Sequence, residues 1–292
     1  MADSTGQADL RKEYVDTAVK AVALLEYKLK TLCTVESSSA WTESYYRETN
    51  TDPTAVTTGG GASIPIKGTP RLSPFPYAEA SWTKVSGINH KFAMEGMISI
   101  EDELMNNIAM IERTILRIGR GVALAVDTEI LAVMSASYGN TVAVTVGSEW
   151  DATTVANRDP VKNILDAIQT IRADNLDALN GNGYLVVNGT DYTNIISNTK
   201  VINNPTFKTA DVVSNGVVGE LCGLKVMVTE VVAADTAYVV IAKEGMTWKS
   251  VVGLTVETIK EPGIKTTVRA WEIGQCQMVS PNAVCKITNT RA

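Results

Sequence analysis

Between Ser99 and Ala136, apolar side chains fall at Leu104, Ile108, Ile111, Ile115, Ile118 and Val122, spaced 4, 3, 4, 3 and 4 residues apart. This spacing predicts one long helix with a single buried stripe. Ser99 is a natural N-cap, and Asp102, three residues on, completes a capping-box pattern. Glu101 and Glu103 place negative charge at the positive end of the helix dipole. Gly139-Asn140 reads as the stop, and no proline intervenes before Pro160. A rod over the whole stretch would be roughly 55 Å long, far above the usual helix of about 11–12 residues. Such a helix needs a large surface to lie on, and that requirement constrains the rest of the chain.

Before this rod, residues 8–33 read as a second amphipathic helix. Leu10, Tyr14, Ala18, Ala21, Leu25, Leu29 and Leu32 lie on one face, and Arg11, Lys12, Glu13, Lys20 and Lys28 on the other. The polar stretch from Glu36 to Gly61 has almost no aliphatic residues and cannot build its own core. It is either a flexible linker or an arm that orders on a neighbouring molecule. Trp41, Tyr45 and Tyr46 favour the arm. Residues 63–98 alternate like strands, but Pro65, Pro70, Pro74 and Pro76 exclude a central strand. They read as a long hairpin-like loop projecting from the body. After the rod, strands are expected at Thr141–Val146, Tyr184–Val187, Leu224–Thr229, Ala237–Ala242, Leu254–Ile259, Val268–Val279 and Ala283–Ile287. Helices are expected after Asp159-Pro160 and over Asp191–Ser197. The class is α+β.

Composition closes off several kinds of chemistry. The formal charge is −6, so the basic footprint of a nucleic-acid reader is missing. No run of 18 apolar residues would span a membrane, and the N-terminus lacks the apolar region of a signal peptide. Cys33, Cys222, Cys276 and Cys285 form no Cys-x-x-Cys pattern and are expected to be reduced thiols in a cytosolic setting. His90 is the single histidine, which removes most metal sites and acid–base schemes. Gly59–Gly61 is not followed by Lys-Ser/Thr, so it is no phosphate loop. Gly119 and Gly121 lie inside the rod and read as places of close packing or bending. No catalytic, cofactor-binding or metal-ligating residue is assigned. One constellation stands out: Arg113, Arg117 and Arg120 recur at i, i+4 and i+7 and line one helix face. They read either as a solvated or locally paired face or as a basic stripe that pairs with carboxylates of an adjacent subunit, with Glu79 and Glu95 as candidates.

The order of parts then resembles the tailed-phage major capsid protein of the Hong Kong 97 type. AVDTEILAVM at Ala125–Met134 is similar to the end of that family's spine helix. NGYLVVNGTDYTNI at Asn182–Ile195 resembles its helix-strand-turn element, and GELCGLKVMVTEVV at Gly219–Val232 its Leu-x-Gly-Leu-x-Val strand. WKSVVGLTVETI and VRAWEIGQCQMVSPNAVCKI resemble its returning strands. The resemblance spans about residues 63–288. It implies an N-terminal arm (1–62), an extended loop (63–98), a P-domain with the spine helix (99–157), an A-domain (158–247) and returning P-domain strands (248–292).

That fold implies a structural protein without enzymatic activity, a component of the virion assembled in the host cytoplasm. Its partners would be further copies of itself in hexamers and pentamers, portal and scaffolding proteins, and packaged double-stranded DNA held non-specifically. No membrane and no cofactor are implied. The inter-subunit candidates are Arg113, Arg117, Arg120, Glu79, Glu95, Trp41, Tyr45 and Tyr46. Some family members crosslink through a loop lysine. Lys84 and Lys91 lie in this loop, but no partner or promoting acid matches, so the reaction is not carried over. The alternatives are an encapsulin-like cellular shell housing cargo, or an unrelated α+β enzyme or binding protein.

Overall fold

The computed structural model describes residues 19–20, 26–48, 82–105, 108–198, 201 and 219–292. Along the chain run strands β1 (Thr34–Ser37), β2 (Thr42–Glu48), β3 (Trp82–Ile88) and β4 (His90–Ser99), then helices α1 (Ile100–Leu104) and α2 (Ile108–Ala136). There follow β5 (Asn140–Ala143), α3 (Pro160–Ala173), β6 (Gly183–Val187) and α4 (Gly189–Ser197). The chain closes with β7 (Glu220–Leu221), β8 (Leu224–Val228), β9 (Thr236–Ile241), β10 (Met246–Glu261), β11 (Lys265–Met278) and β12 (Val284–Thr288). Two compact units result. The first takes the described residues of 1–43, 86–133 and 247–277, the second those of 44–85, 134–246 and 278–292.

The first unit is a four-stranded sheet, in the order β1-β10-β11-β4, with α2 on one face. Period-two alternation decides which side chains meet the helix. On β4, Lys91, Ala93, Glu95 and Met97 are exposed, while Phe92, Met94 and Gly96 are half-buried and Ile98 is buried. On β11, Val268, Ala270, Glu272 and Gly274 are buried, while Arg269 is exposed and Trp271 and Ile273 are half-buried. The stripe of α2 packs onto this face: Ile115, Ile118 and Val122 join Ile98, Val256, Val268 and Ala270 in one core. Two glycines set the closeness of the contact. A Cβ on Gly96 would lie 2.7 Å from both Ile118 Cδ1 and Thr114 Cγ2, and one on Gly121 would lie 2.1 Å from Met94 Sδ. The strand therefore gives way to the helix at one point, and the helix to the strand at the other. Gly121 serves close packing, one of the two roles expected of it.

The second unit is a six-stranded mixed sheet, in the order β5-β12-β9-β6-β8-β7. β6 lies inside it, antiparallel to β9 and parallel to β8, and Leu185, Val186 and Val187 are fully buried. This is the continuous apolar run expected of a strand covered on both faces. Helix α3 starts where the sequence predicts, with Pro160 in its first turn and the Asp159 side chain accepting from the Lys162 amide at 3.2 Å. Its Ile164, Ile168 and Ile171 share a core with Trp150, Leu185, Val239 and Ile287. The buried Asp191 accepts a hydrogen bond from the Thr290 hydroxyl at 3.0 Å. Burial pushes the Asp191 carboxyl above its ordinary 3.8, against the pull of that hydrogen bond.

Several expectations are corrected. The single helix over 99–136 is two described segments, α1 and the 29-residue α2, the latter about 43 Å long. The first segment stops at Leu104, and Met105 stands in a turn. The cap is present: Ser99 Oγ donates to Asp102 Oδ2 at 2.9 Å and accepts from the Asp102 amide at 3.1 Å. It serves α1 alone. Leu104 is 79% exposed, so it is not part of the stripe, which continues instead through Val126, Ile130 and Met134. The side chains of Ile108 and Ile111 lie outside the described residues. Of the polar stretch from Glu36, read as a flexible linker or an arm that orders on a neighbouring molecule, the described part pairs with strands of its own chain. Its start lies in β1, parallel to β10 with Val35 opposite Trp248, and Thr42–Glu48 pairs with β3 in a two-stranded ribbon. The backbone bonds of a sheet edge order such a segment without an apolar core of its own. The rest of that stretch, Glu79, most of the 8–33 helix and the loop through residue 81 fall outside the described residues.

Two outcomes test this architecture. Ile118→Ala should cost about 2–5 kcal/mol, because it opens a cavity where helix and strand interlock, and urea unfolding of the unassembled subunit measures it. Asp191→Asn tests the buried carboxyl. A raised folded-state pKa contributes stability that is present below the unfolded value and lost as pH rises through the folded one. The natural chain should therefore gain stability relative to Asp191→Asn as pH falls from about 7 toward 3.8, as thermal melts across that range would reveal.

Candidate inter-subunit surface

The face of α2 turned away from its sheet carries Arg113, Leu116, Arg117, Arg120 and Leu124, all exposed. Arg113, Leu116, Arg117 and Arg120 line a shallow depression of about 360 Å³. Arg120 Nε donates to Glu26 Oε1 at 2.8 Å. Among the described residues Arg113 and Arg117 make no ion pair. Leu124 is 58% exposed and extends the surface by one turn. The three arginines do share one face, as their spacing requires, and two exposed leucines lie along it. The leucines were not anticipated, because a 3.6 period read for its buried stripe hides apolar residues on the other side.

Glu95 sits on the opposite face of the sheet. It is in register with Arg269 of β11 and bonded to that residue's Nε at 2.6 Å. Its charge is therefore already matched within the chain. Trp41 is 56% and Tyr46 is 59% exposed, while Tyr45 is half-buried and accepts from Arg47 Nη2 at 3.3 Å. Trp82 and Ile88 are likewise exposed on β3. A two-stranded ribbon with this much apolar surface is marginal in water by itself.

The strongest electrostatic feature of the first unit escaped the sequence reading. Glu272 of β11 is fully buried. Its carboxylate accepts from the Tyr27 hydroxyl at 2.6 Å, from Trp248 Nε1 at 3.0 Å and from Lys30 Nζ. The Lys30 ammonium also lies 4.3 Å from the Tyr27 ring centroid and 5.5 Å from that of Trp248. Burial, and then the neighbouring Glu272 charge, push the Tyr27 hydroxyl well above its ordinary value and keep it a donor. From α2, the buried Asp127 accepts from the Lys28 amide at 2.8 Å and the Lys30 amide at 3.1 Å. Burial pushes the Asp127 carboxyl up, and these amides pull against it. The 3-10 turn Leu29–Leu32 is thus gripped from both sides, with Leu29 and Leu32 buried between. The only sequence signal was a glutamate on the apolar face of a strand.

Among the described residues no group of His, Cys, Asp or Glu is placed to hold a metal, and no helix is long and apolar enough to cross a membrane. His90 is exposed. Cys33, Cys276 and Cys285 are buried free cysteines, and Cys222 is half-buried. Burial pushes the Cys285 thiol up to about 12, away from the thiolate that nucleophilic attack requires.

The sequence model of the family described as phage capsid protein matches residues 95–287, about two thirds of the chain. The chain belongs to the phage capsid protein family. Solved structures agree in fold. The virus-like particle from Pyrococcus furiosus aligns with a TM-score of 0.62 at 11% identity, covering 94% of this chain and 98% of that one. The capsid of the cyanophage P-SCSP1u gives 0.63 at 14%, covering 90% and 88%. The mature capsid of bacteriophage PhiM1 gives 0.61 at 12%, covering 91% and 88%. No curated protein is a significant match. At such identities the likeness shows the Hong Kong 97-type fold, which virus-like particle and phage capsids share, whereas the family match identifies a capsid component of the virion. This favours the capsid reading over the encapsulin-like alternative.

The grip on Leu29–Leu32 makes a specific demand of this capsid protein. Glu272→Ala should destabilise the subunit by about 3–5 kcal/mol, because it leaves the largely buried Lys30 without its counter-charge. Glu272→Gln should cost less, since an amide oxygen still accepts from Tyr27 and Trp248. Denaturant midpoints of the two variants check the order.

Proposed function

We propose that this chain is the major capsid protein of a tailed virus, self-assembling through hexamers and pentamers into an icosahedral shell around a double-stranded DNA genome. The observation that carries the reading is the exposed apolar surface of the β2–β3 ribbon, with Trp41, Tyr46, Trp82 and Ile88 facing water in the single subunit. Monomeric proteins rarely leave such surface uncovered, and burial against a neighbour is the ordinary remedy. In this reading residues 1–62 are an arm and 63–98 an extended loop. Residues 99–157 with 248–292 make the P-domain, and 158–247 the A-domain. Trp41, Tyr45 and Tyr46 are covered by a neighbouring copy, and Arg113, Arg117 and Arg120 meet carboxylates there.

The role is structural rather than enzymatic. Portal and scaffolding proteins are its further partners, and assembly takes place in the host cytoplasm. The net charge of −6 fits a wall that holds packaged DNA weakly and without sequence preference. Electron microscopy of the purified full chain should reveal closed icosahedral particles. A stable small oligomer that never closes would overturn the reading.

A further inference from the structure

Two exposed patches on the first unit complement one another and make no use of each other within the chain. One is the outer stripe of α2: Arg113 and Arg117, which make no ion pair among the described residues, with Leu116 between them and Leu124 beyond. The other is α1. It is acidic in sequence (Ile100-Glu101-Asp102-Glu103-Leu104), and it ends in Leu104 at 79% and Met105 at 72% exposure. Glu101 is exposed and makes no ion pair among the described residues, while Asp102 is engaged with Ser99. Two adjacent apolar side chains this open to water at the end of an acidic turn are unusual for a finished surface. Of the two carboxylates considered for the arginine stripe, Glu95 is matched by Arg269 and Glu79 lies outside the described residues.

We propose that α1 of one copy docks on the outer stripe of α2 of a second copy, with Leu104 and Met105 against Leu116 and Glu101 paired with Arg113 or Arg117. The proposal rests on the reading that copies of this chain assemble, and it names the contact that one step of assembly uses. Charge and apolarity agree at both ends. Arginine suits such a contact because its guanidinium is weakly hydrated and forks onto a carboxylate. The two patches are different surfaces of the same chain, so the contact is heterologous. Each copy offers one patch forward and one back, so the contact closes into a ring or runs on as an open filament rather than stopping at a dimer.

Charge reversal and its compensation test the pairing in the full chain. Arg113→Glu with Arg117→Glu, and separately Glu101→Arg, should each cut the yield of closed particles by about tenfold or more, because like charges facing each other suppress a contact. Circular dichroism and melting of the unassembled subunit should stay at the natural values, since all three side chains are exposed. Combining the three substitutions in one chain should restore particles. A second measurement is independent of yield. Leu104→Cys with Leu116→Cys, treated with a short bismaleimide, should give covalent multimers, and neither single variant should. Normal particles from the reversed variants would overturn the docking, as would a combination that fails to restore them or a double-cysteine chain that gives no multimers. Failure of the natural chain to form particles would instead overturn the proposed function.

Discussion

A buried carboxylate with three donors holds the first unit together. Glu272 stands on the core side of β11, where the alternation of the strand would place an apolar residue. It is tolerable there only because Tyr27, Lys30 and Trp248 converge on it. The consequence is directional. A charge buried in this way fixes the short turn Leu29–Leu32 in one place, and Asp127 of α2 fixes the same turn from the helix side. The turn leads directly into β1, which extends the sheet along β10. An N-terminal segment with little apolar content is thereby built into the sheet by charge and backbone bonds rather than by hydrophobic burial.

The long helix depends on a different device. Its stripe lies on a sheet surface whose relief is set by Gly96 and Gly121, each admitting a side chain from the other element. Close interlocking of this kind leaves the helix one orientation about its own axis. The same orientation turns Arg113, Arg117 and Arg120 outward together. A shell protein needs surfaces presented to its neighbours at fixed angles, and a helix locked to a sheet by reciprocal knobs supplies one.

The periodic signals were legible. The core side of α2 from Ile115 to Val122, the alternation of β11, the buried strand β6 and the start of α3 at Asp159-Pro160 are all local patterns, dictated by the 3.6 and 2.0 periods and by capping chemistry. The resemblance of the returning strands to a capsid fold rested on their order, and the family match bears it out. What misled was the extension of one pattern back across Met105, which stands in a turn. Leu104 keeps the helical spacing but belongs to a separate turn and faces water. The polar residues of β1 and β2 gave no strand signal, because edge and ribbon pairing depends on backbone groups that every residue carries.

The sequence by itself determined the α+β class, the amphipathic helix, most of the strands and the common face of the three arginines. These follow from residue type and spacing along the chain. The tertiary structure decided what the arginines and carboxylates do. It paired Glu95 with Arg269 across β4 and β11, gave Arg120 to Glu26, and buried Glu272 beside Trp248 with two donors, Tyr27 and Lys30, that lie 245 and 242 positions away. Partners of that kind are set by which strands lie side by side, and strand order depends on long-range packing that a one-dimensional pattern does not encode.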